Sequence, residues 1–111
     1  MKNTIKQLLR EAFVFDDKDF ATNRLAGAEK IIANAKEKGG DAMLTYNHFN
    51  VKPSYYKKAI DGKFNIEEAT TEYNETYNKI SLDMTQTEFQ REVGRLEVLG
   101  ELIIKNKKGP N

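Results

Sequence analysis

The chain has 111 residues, of which 39% are hydrophobic and 32% are charged, and its formal net charge at pH 7 is +1. This length allows a single domain, residues 1–111, with a modest core. The balanced charge argues against a domain built mainly to bind nucleic acid, and the absence of cysteine excludes disulfides, thiolate nucleophiles and thiolate metal ligands. One histidine cannot build a zinc site, so we expect no metal and no other cofactor.

The sequence shows no pattern of a secretion signal or a membrane-spanning segment. Residues 1–15 begin with basic charge, but Lys6, Gln7 and Arg10 interrupt their apolar positions. No apolar run approaches the ~20 residues that a helix needs to cross a bilayer. We therefore expect a soluble, cytoplasmic protein without a membrane partner.

Two amphipathic helices are predicted in the first third of the chain. Residues 3–13 carry apolar side chains at spacings of three and four, which predicts a helix with one apolar face. Residues 18–38 repeat this spacing after a turn at the two intervening aspartates, and Gly39 predicts where the second helix ends. Small alanines in its stripe favour close packing of helices. The stripe consists of Ala21, Leu25, Ala28, Ile32 and Ala35.

Two shorter helices are predicted in the middle of the chain. The first covers residues 41–51, with Asp41 as its N-cap. The second covers residues 53–61 and begins with a proline, which is well tolerated in a first helical turn. Because the residue before a proline is disfavoured in helical geometry, Lys52 is predicted to separate the two helices.

Two further helices have well-defined starts. Residues 65–80 begin with an asparagine cap that has Glu68 three positions later, and residues 85–100 begin with Thr85 and Glu88, a complete capping box. Gly94 lies inside the last helix, where close packing against a neighbouring helix is the simplest explanation for a glycine.

The apolar run at residues 102–105 is compatible with either a continued helix or a short strand, because it is brief and rich in β-branched residues. Residues 106–111 are polar and basic and are predicted to fray.

These segments predict an all-α fold, an irregular bundle of five or six helices, with at most a short strand at residues 102–105. The predicted core contains the apolar residues that lie on the stripes of these helices: Leu8, Leu9, Phe13, Leu25, Ile32, Tyr46, Phe49, Ile60, Ile66, Tyr73, Tyr77, Phe89, Val93 and Leu96.

The stretch 52–63 is the most suggestive functional pattern, because basic side chains alternate there with aromatic ones. Four lysines against Asp61 give a local charge of about +3, and basic residues with aromatics can bind phosphates and stack on bases. The next stretch, 65–76, has four glutamates and no base, so the two stretches could instead complement each other, within one molecule or between two. The candidate contact residues in the basic stretch are Lys52, Tyr55, Tyr56, Lys57, Lys58 and Lys63.

His48 is the candidate for acid–base catalysis, because an imidazole with a neighbouring carboxylate can act as a general base. A histidine that packs or caps at a helix end is the favoured alternative. The paired carboxylates at residues 16–19 and 67–68 lie at predicted helix starts, where the helix dipole favours negative charge. No residue is therefore assigned a catalytic role.

Residues 85–104 resemble the end of a winged-helix domain, in which a capped recognition helix ends in Leu-Glu-x-Leu-Gly and an apolar strand follows. Here the helix ends Leu-Glu-Val-Leu-Gly and the strand would be residues 102–105. The resemblance implies that Arg91 and Arg95 are candidate contacts to DNA. The resemblance covers about a fifth of the chain, and the long tyrosine-rich helix that precedes it departs from the winged-helix pattern.

The opening stretch, residues 1–11, is similar in style to small uncharacterised proteins of marine phages and marine metagenomes. Those proteins have no function that the resemblance could imply.

These observations favour a non-enzymatic protein-interaction module, whose partner could be a second copy of itself. An amphipathic helix such as residues 3–13 can pack on a partner as easily as on its own chain. The alternatives are a nucleic-acid-binding regulatory protein, of the winged-helix type or acting through the basic and aromatic stretch, and an enzyme centred on His48.

Overall fold

The computed structural model describes the backbone of residues 2–107 and the side chains of residues 18–106. Within this part, every regular element is a helix, so the predicted all-α class is confirmed. The helices are α1 (Lys2–Lys38), α2 (Ala42–Asn50), α3 (Lys52–Ile60), α4 (Ile66–Lys79) and α5 (Gln86–Lys107).

The division into helices differs from the prediction at two places. The predicted helices 3–13 and 18–38 form one continuous helix, α1, because the residues between them include aspartates but no glycine or proline to end it. The break predicted at Lys52 is the second difference. Lys52 is the first residue of α3, and Val51, between α2 and α3, keeps helical dihedrals of φ −83° and ψ −16°. Counted as uninterrupted stretches of helical backbone, the described part has four, which is fewer than the five or six expected.

The strand allowed at residues 102–105 does not form, because α5 continues through them. Leu102 and Ile103 are buried and lie four residues after the buried Val98 and Leu99, so the same apolar face runs on in helical register. The strand implied by the winged-helix resemblance is therefore helix. The tail predicted to fray, residues 106–111, is helical in its first two residues, because α5 reaches Lys107, and residues 108–111 lie outside the described part.

The core lies between α1, α3 and α5, and half of its buried residues are alanines. Side chains from these three helices form one cluster of buried residues: Ala21, Ala28, Tyr56, Ala59, Val98 and Leu102. A smaller cluster joins α4 to α5 through Ala69, Leu99 and Ile103. The alanine stripe predicted for α1 is confirmed, because Ala21, Ala28 and Ala35 are all buried. Small side chains let the helix axes approach, and the larger side chains pack around the edges of these contacts.

The predicted core is wrong at two positions. Tyr77 is 64% exposed because the buried residues of α4, Ala69 and Thr76, are seven positions apart and define a helix face beside it. Phe89 is 38% exposed because the buried face of α5 lies farther along that helix, at residues 98–103. Leu8, Leu9 and Phe13 lie outside the described side chains. The other predicted core residues are only partly buried: Leu25, Ile32, Tyr46, Phe49, Ile60, Ile66, Tyr73, Val93 and Leu96.

Local signals define most of the helix ends as predicted. The side chain of Asn65 accepts a hydrogen bond from the Glu68 backbone N–H at 3.0 Å, and Thr85 Oγ1 accepts one from Glu88 at 3.1 Å. Gly39 has a φ of 63°, the left-handed geometry that ends a helix. Asp41, in contrast, makes no side-chain cap and has helical dihedrals, so the cap predicted there is wrong.

Gly94 marks a close approach of two helices, α5 and α2. A Cβ built on Gly94 would collide with the carbonyl oxygen of His48 in α2 and would lie 2.9 Å from its carbonyl carbon. Both groups are backbone, so a side chain could be accommodated only if a helix moved. The close packing predicted for this glycine is confirmed.

We expect Gly94→Ala to lower the free energy of unfolding by about 1–3 kcal/mol, because the added methyl must push α2 and α5 apart. Gly27→Ala is the matched control. Gly27 is an exposed helical glycine, and a Cβ placed on it would have no other atom within 4 Å, so alanine there should raise stability by up to about 1 kcal/mol. Urea unfolding followed by circular dichroism measures both changes, and equal effects of the two substitutions would contradict the packing role of Gly94.

Candidate functional site

Three side chains of α3 form polar contacts across to α5, and together with their partners they are called the polar seam here. Lys52 is the most buried of the three, with 3% of its surface exposed. Its ammonium group binds the carboxylate of Glu97 and lies 4.3 Å from the centre of the Phe49 ring. A carboxylate and an aromatic face together stabilise a cation that has lost its water.

Glu97 connects three helices, because His48 of α2 also contacts it. The distance from His48 Nε2 to Glu97 Oε2 is 3.2 Å. Burial by itself would raise the pKa of Glu97, but the hydrogen bond and charge of Lys52, helped by His48, outweigh it and lower the pKa. The ionised form of Glu97 is thus the form that the fold stabilises.

The second contact of the polar seam is made by Tyr56. Its hydroxyl donates a hydrogen bond of 2.7 Å to Glu101, whose other carboxylate oxygen lies 3.6 Å from Arg24 Nε of α1. Burial, together with the hydrogen bond to Glu101, raises the pKa of Tyr56. Tyr56 is therefore a neutral donor that joins α3 to α5, while Arg24 extends the contact to α1.

The third contact centres on Tyr55, whose hydroxyl donates to Glu72 of α4 and accepts a hydrogen bond of 3.1 Å from Arg95 Nε. Burial and the bond to Glu72 raise the pKa of Tyr55 to about 12. Arg95 also donates to Glu92 at 2.7 Å. The second oxygen of Glu92 is buried and has no hydrogen-bond partner among the described residues.

The structure divides the predicted contact residues into two groups. Lys52, Tyr55, Tyr56 and Arg95 belong to the polar seam, where their polar atoms are bound to glutamates or to each other. The remaining predicted contacts are exposed: Lys57, Lys58, Lys63 and Arg91. The aromatic and basic residues that suggested a base-stacking surface are therefore separated, because the tyrosines face inward while three of the lysines face solvent.

The acidic stretch that follows the basic one lies against it, but no ion pair among the described residues joins the two. Lys52 pairs with Glu97 of α5, and Tyr55 donates a hydrogen bond to Glu72 of the acidic stretch. Lys58 and Lys63 line a small pocket with two glutamates of that stretch, Glu68 and Glu72. Four glutamates of α4 line an open acidic groove of about 390 Å³ together with Thr71: Glu67, Glu68, Glu72 and Glu75.

His48 has a carboxylate within reach, as acid–base catalysis would need, but Glu97 is also bound by Lys52. The imidazole is largely buried, with 15% of its side chain exposed, and packs edge-on to the ring of Phe49. These contacts make His48 part of the junction of α2, α3 and α5. Among the described residues, no group of three or more His, Cys, Asp or Glu side chains could hold a metal ion.

An apolar surface at the turn from α4 to α5 was not predicted from the sequence. Leu82 is fully exposed in this turn, and Phe89 at the start of α5 is 38% exposed. They line a groove of about 360 Å³ with four neighbours, and the six residues are called the apolar corner here: Ile80, Ser81, Leu82, Met84, Gln86 and Phe89. The sequence does show apolar residues on both sides of the capping box at residues 85–88. They were interpreted as residues that pack within the chain, and Phe89 was placed in the predicted core.

No family model matches this chain, and neither a curated protein nor a solved structure matches it significantly. In the described part of the chain, no helix has an apolar stretch long enough to cross a membrane.

We expect Glu97→Gln to lower stability at pH 7, because the substitution removes the negative charge opposite the buried Lys52. The pKa of Glu97 in the folded state lies below the ordinary value of 4.5, so its stabilising contribution is complete above that pH and is lost as the pH falls through the folded-state value. The difference between wild type and variant should therefore shrink between pH 7 and pH 3, as measured by urea unfolding. Glu29→Gln, at an exposed position of α1, is the control, and an unchanged difference at the two pH values would contradict the role of Glu97.

Proposed function

We propose that this chain is a non-enzymatic protein-interaction module that uses the apolar corner as its binding surface and associates with itself. The observation that carries this proposal is that three of the six exposed large apolar side chains of the described part lie within residues 77–89: Tyr77, Leu82 and Phe89. Leu82 is fully exposed, and Tyr77, one turn before the corner, is 64% exposed. Contiguous apolar surface on a small protein is typical of a site that another protein covers.

The polar residues support the same proposal. The groups that could serve chemistry, Lys52, Tyr55, Tyr56 and Arg95, already make hydrogen bonds or ion pairs that connect α3 to α4 and α5. Using any of them on a ligand would break a contact that holds two helices together. Binding at the apolar corner would break no such contact, and it would remove exposed apolar side chains from water, which is favourable.

We expect the wild-type chain to form oligomers whose mass increases with concentration, and Leu82→Ser with Phe89→Gln to leave it monomeric. Each exposed side chain buried at an interface contributes about 1–2 kcal/mol, so loss of two should weaken association at least tenfold. Light scattering during size-exclusion chromatography measures the mass. Ile104→Gln is the control, because Ile104 is 56% exposed on α5 outside the corner.

A wild-type chain that stays strictly monomeric, and that also captures no partner in pulldown experiments, would contradict the proposed function.

Nucleic-acid binding is the second candidate, and the exposed lysines of α3 and the following loop favour it. Lys57, Lys58 and Lys63 are exposed, and none of them forms an ion pair with another described residue. Free lysines can bind phosphates without sequence preference, and such binding weakens as salt rises. The tyrosines beside them are occupied in the polar seam, so this surface would contact the phosphate backbone more than the bases.

If these lysines bind nucleic acid, Lys57→Glu with Lys58→Glu should abolish salt-sensitive binding of single- or double-stranded DNA or RNA, measured by fluorescence anisotropy. Lys36→Glu with Lys38→Glu is the matched control, since it makes the same change of charge at two exposed lysines of α1. Equal binding by wild type and both variants would rule out this surface.

A further inference from the structure

The partner of the apolar corner can be named more closely on the basis of the proposed self-association. We propose that the occupant is the N-terminal stretch of α1, residues 3–13, from a second copy of the chain. The copies then assemble head to tail. Three observations carry this inference: the pattern of the stretch, the charge around the corner and the distance between the two within one chain.

The N-terminal stretch has the pattern of a helix that docks in an apolar groove. Ile5, Leu8, Leu9, Ala12 and Phe13 follow the helical spacing of one face, and the structure gives helical backbone from Lys2 onward. Within residues 3–13, Lys6 and Arg10 against Glu11 give a net charge of 2 − 1 = +1, and Lys2 adds a further positive charge just before the stretch. The stretch is thus a basic amphipathic helix.

The surroundings of the apolar corner have the opposite charge. Within residues 75–89, three acidic side chains, those of Glu75, Asp83 and Glu88, stand against Lys79, which gives 1 − 3 = −2. All four are exposed. The acidic groove of α4 continues from Glu75 toward the start of that helix. A basic helix whose apolar face enters the corner would therefore meet acidic side chains at its rim, and this complementarity selects the N-terminal stretch over an acidic partner.

The geometry of α1 and α5 prevents the stretch from reaching the corner of its own chain. Lys105 Nζ lies 5.3 Å from the centre of the Phe20 ring, and Arg24 pairs with Glu101, so the two helices run antiparallel. At 1.5 Å per residue, Phe89 lies about 24 Å from Lys105 along α5, and residue 13 lies about 10 Å beyond Phe20 in the opposite direction. The stretch and the corner are therefore at opposite ends, about 34 Å or more apart.

Contact between two different surfaces of identical chains is heterologous and does not close on itself unless a rotation happens to form a ring. The expected product is an open assembly that grows with concentration. A corner-to-corner dimer would use the same surface on both copies and would stop at two chains. Mixtures of variants that each lack one surface therefore distinguish the two arrangements.

The test uses two full-length variants that each remove one surface. The stretch variant, Leu9→Gln with Phe13→Gln, keeps good helix formers but removes two apolar side chains, and the corner variant is Leu82→Ser with Phe89→Gln. We expect each variant alone to be monomeric. A mixture of the two should form a 1:1 dimer and nothing larger, because the corner of one and the stretch of the other are both intact.

Circular dichroism of each variant, with a matching helical signal and melting curve, shows that both still fold. Should the stretch variant fail to fold, a labelled synthetic peptide of residues 1–15 replaces it. The peptide should bind wild type at least tenfold more tightly than the corner variant, and excess peptide should reduce the wild-type assembly to monomers. Raised salt should weaken this binding, because opposite charges surround the contact.

A stretch variant that associates as the wild type does would overturn the head-to-tail inference while leaving self-association intact, and would point to a corner-to-corner dimer. A mixture that stays monomeric, or a peptide that binds wild type and corner variant equally, would overturn it as well. If the wild-type chain is monomeric at every concentration and captures no partner in pulldown experiments, that result would instead contradict the proposed function itself.

Discussion

The close approach of α2 to α5 is the contact on which the other features depend. Because Gly94 has no side chain, the backbone of α5 can lie against the carbonyl of His48. This approach brings Glu97, one turn later on α5, within reach of His48 and Lys52. The parallel course of α3 and α5 then repeats such contacts, with Tyr56 meeting Glu101. The polar seam therefore follows from a glycine that permits two helix axes to come together.

Half of the ten buried hydrophobic side chains in the described part are alanines. Alanines fill the contacts of α1, while the fully buried large side chains are Val98, Leu99 and Leu102 of α5. Small side chains bury little apolar area each, so polar contacts carry more of the specificity of helix pairing than in a core filled by leucine. The buried Tyr56 and the partly buried Tyr55 serve this purpose, since their rings pack in the core and their hydroxyl groups still donate hydrogen bonds to glutamates.

The candidate functional surface differs from the residues that suggested function in the sequence. A pattern of lysines and tyrosines indicates what the side chains could bind, but the glutamates that bind them in the fold lie 17 to 45 residues away in the chain. Only Lys57, Lys58 and Lys63 of that pattern remain available to a ligand. Conversely, the apolar corner could not be predicted from the sequence, because the sequence does not show which apolar residues are covered by other helices and which remain exposed.

The features that the sequence determined by itself are those that depend on neighbours a few residues apart. The helix starts at Asn65 and Thr85, the end at Gly39 and the alanine stripe of α1 follow from hydrogen bonds and spacings within a turn or two. The continuation of α5 through residues 102–105 needed the tertiary structure, because its apolar residues suit a strand equally well until α1, α3 and α4 cover one helical face. The pairing of buried charges and the exposure of Leu82 were decided in the same way, by contacts between elements distant in sequence.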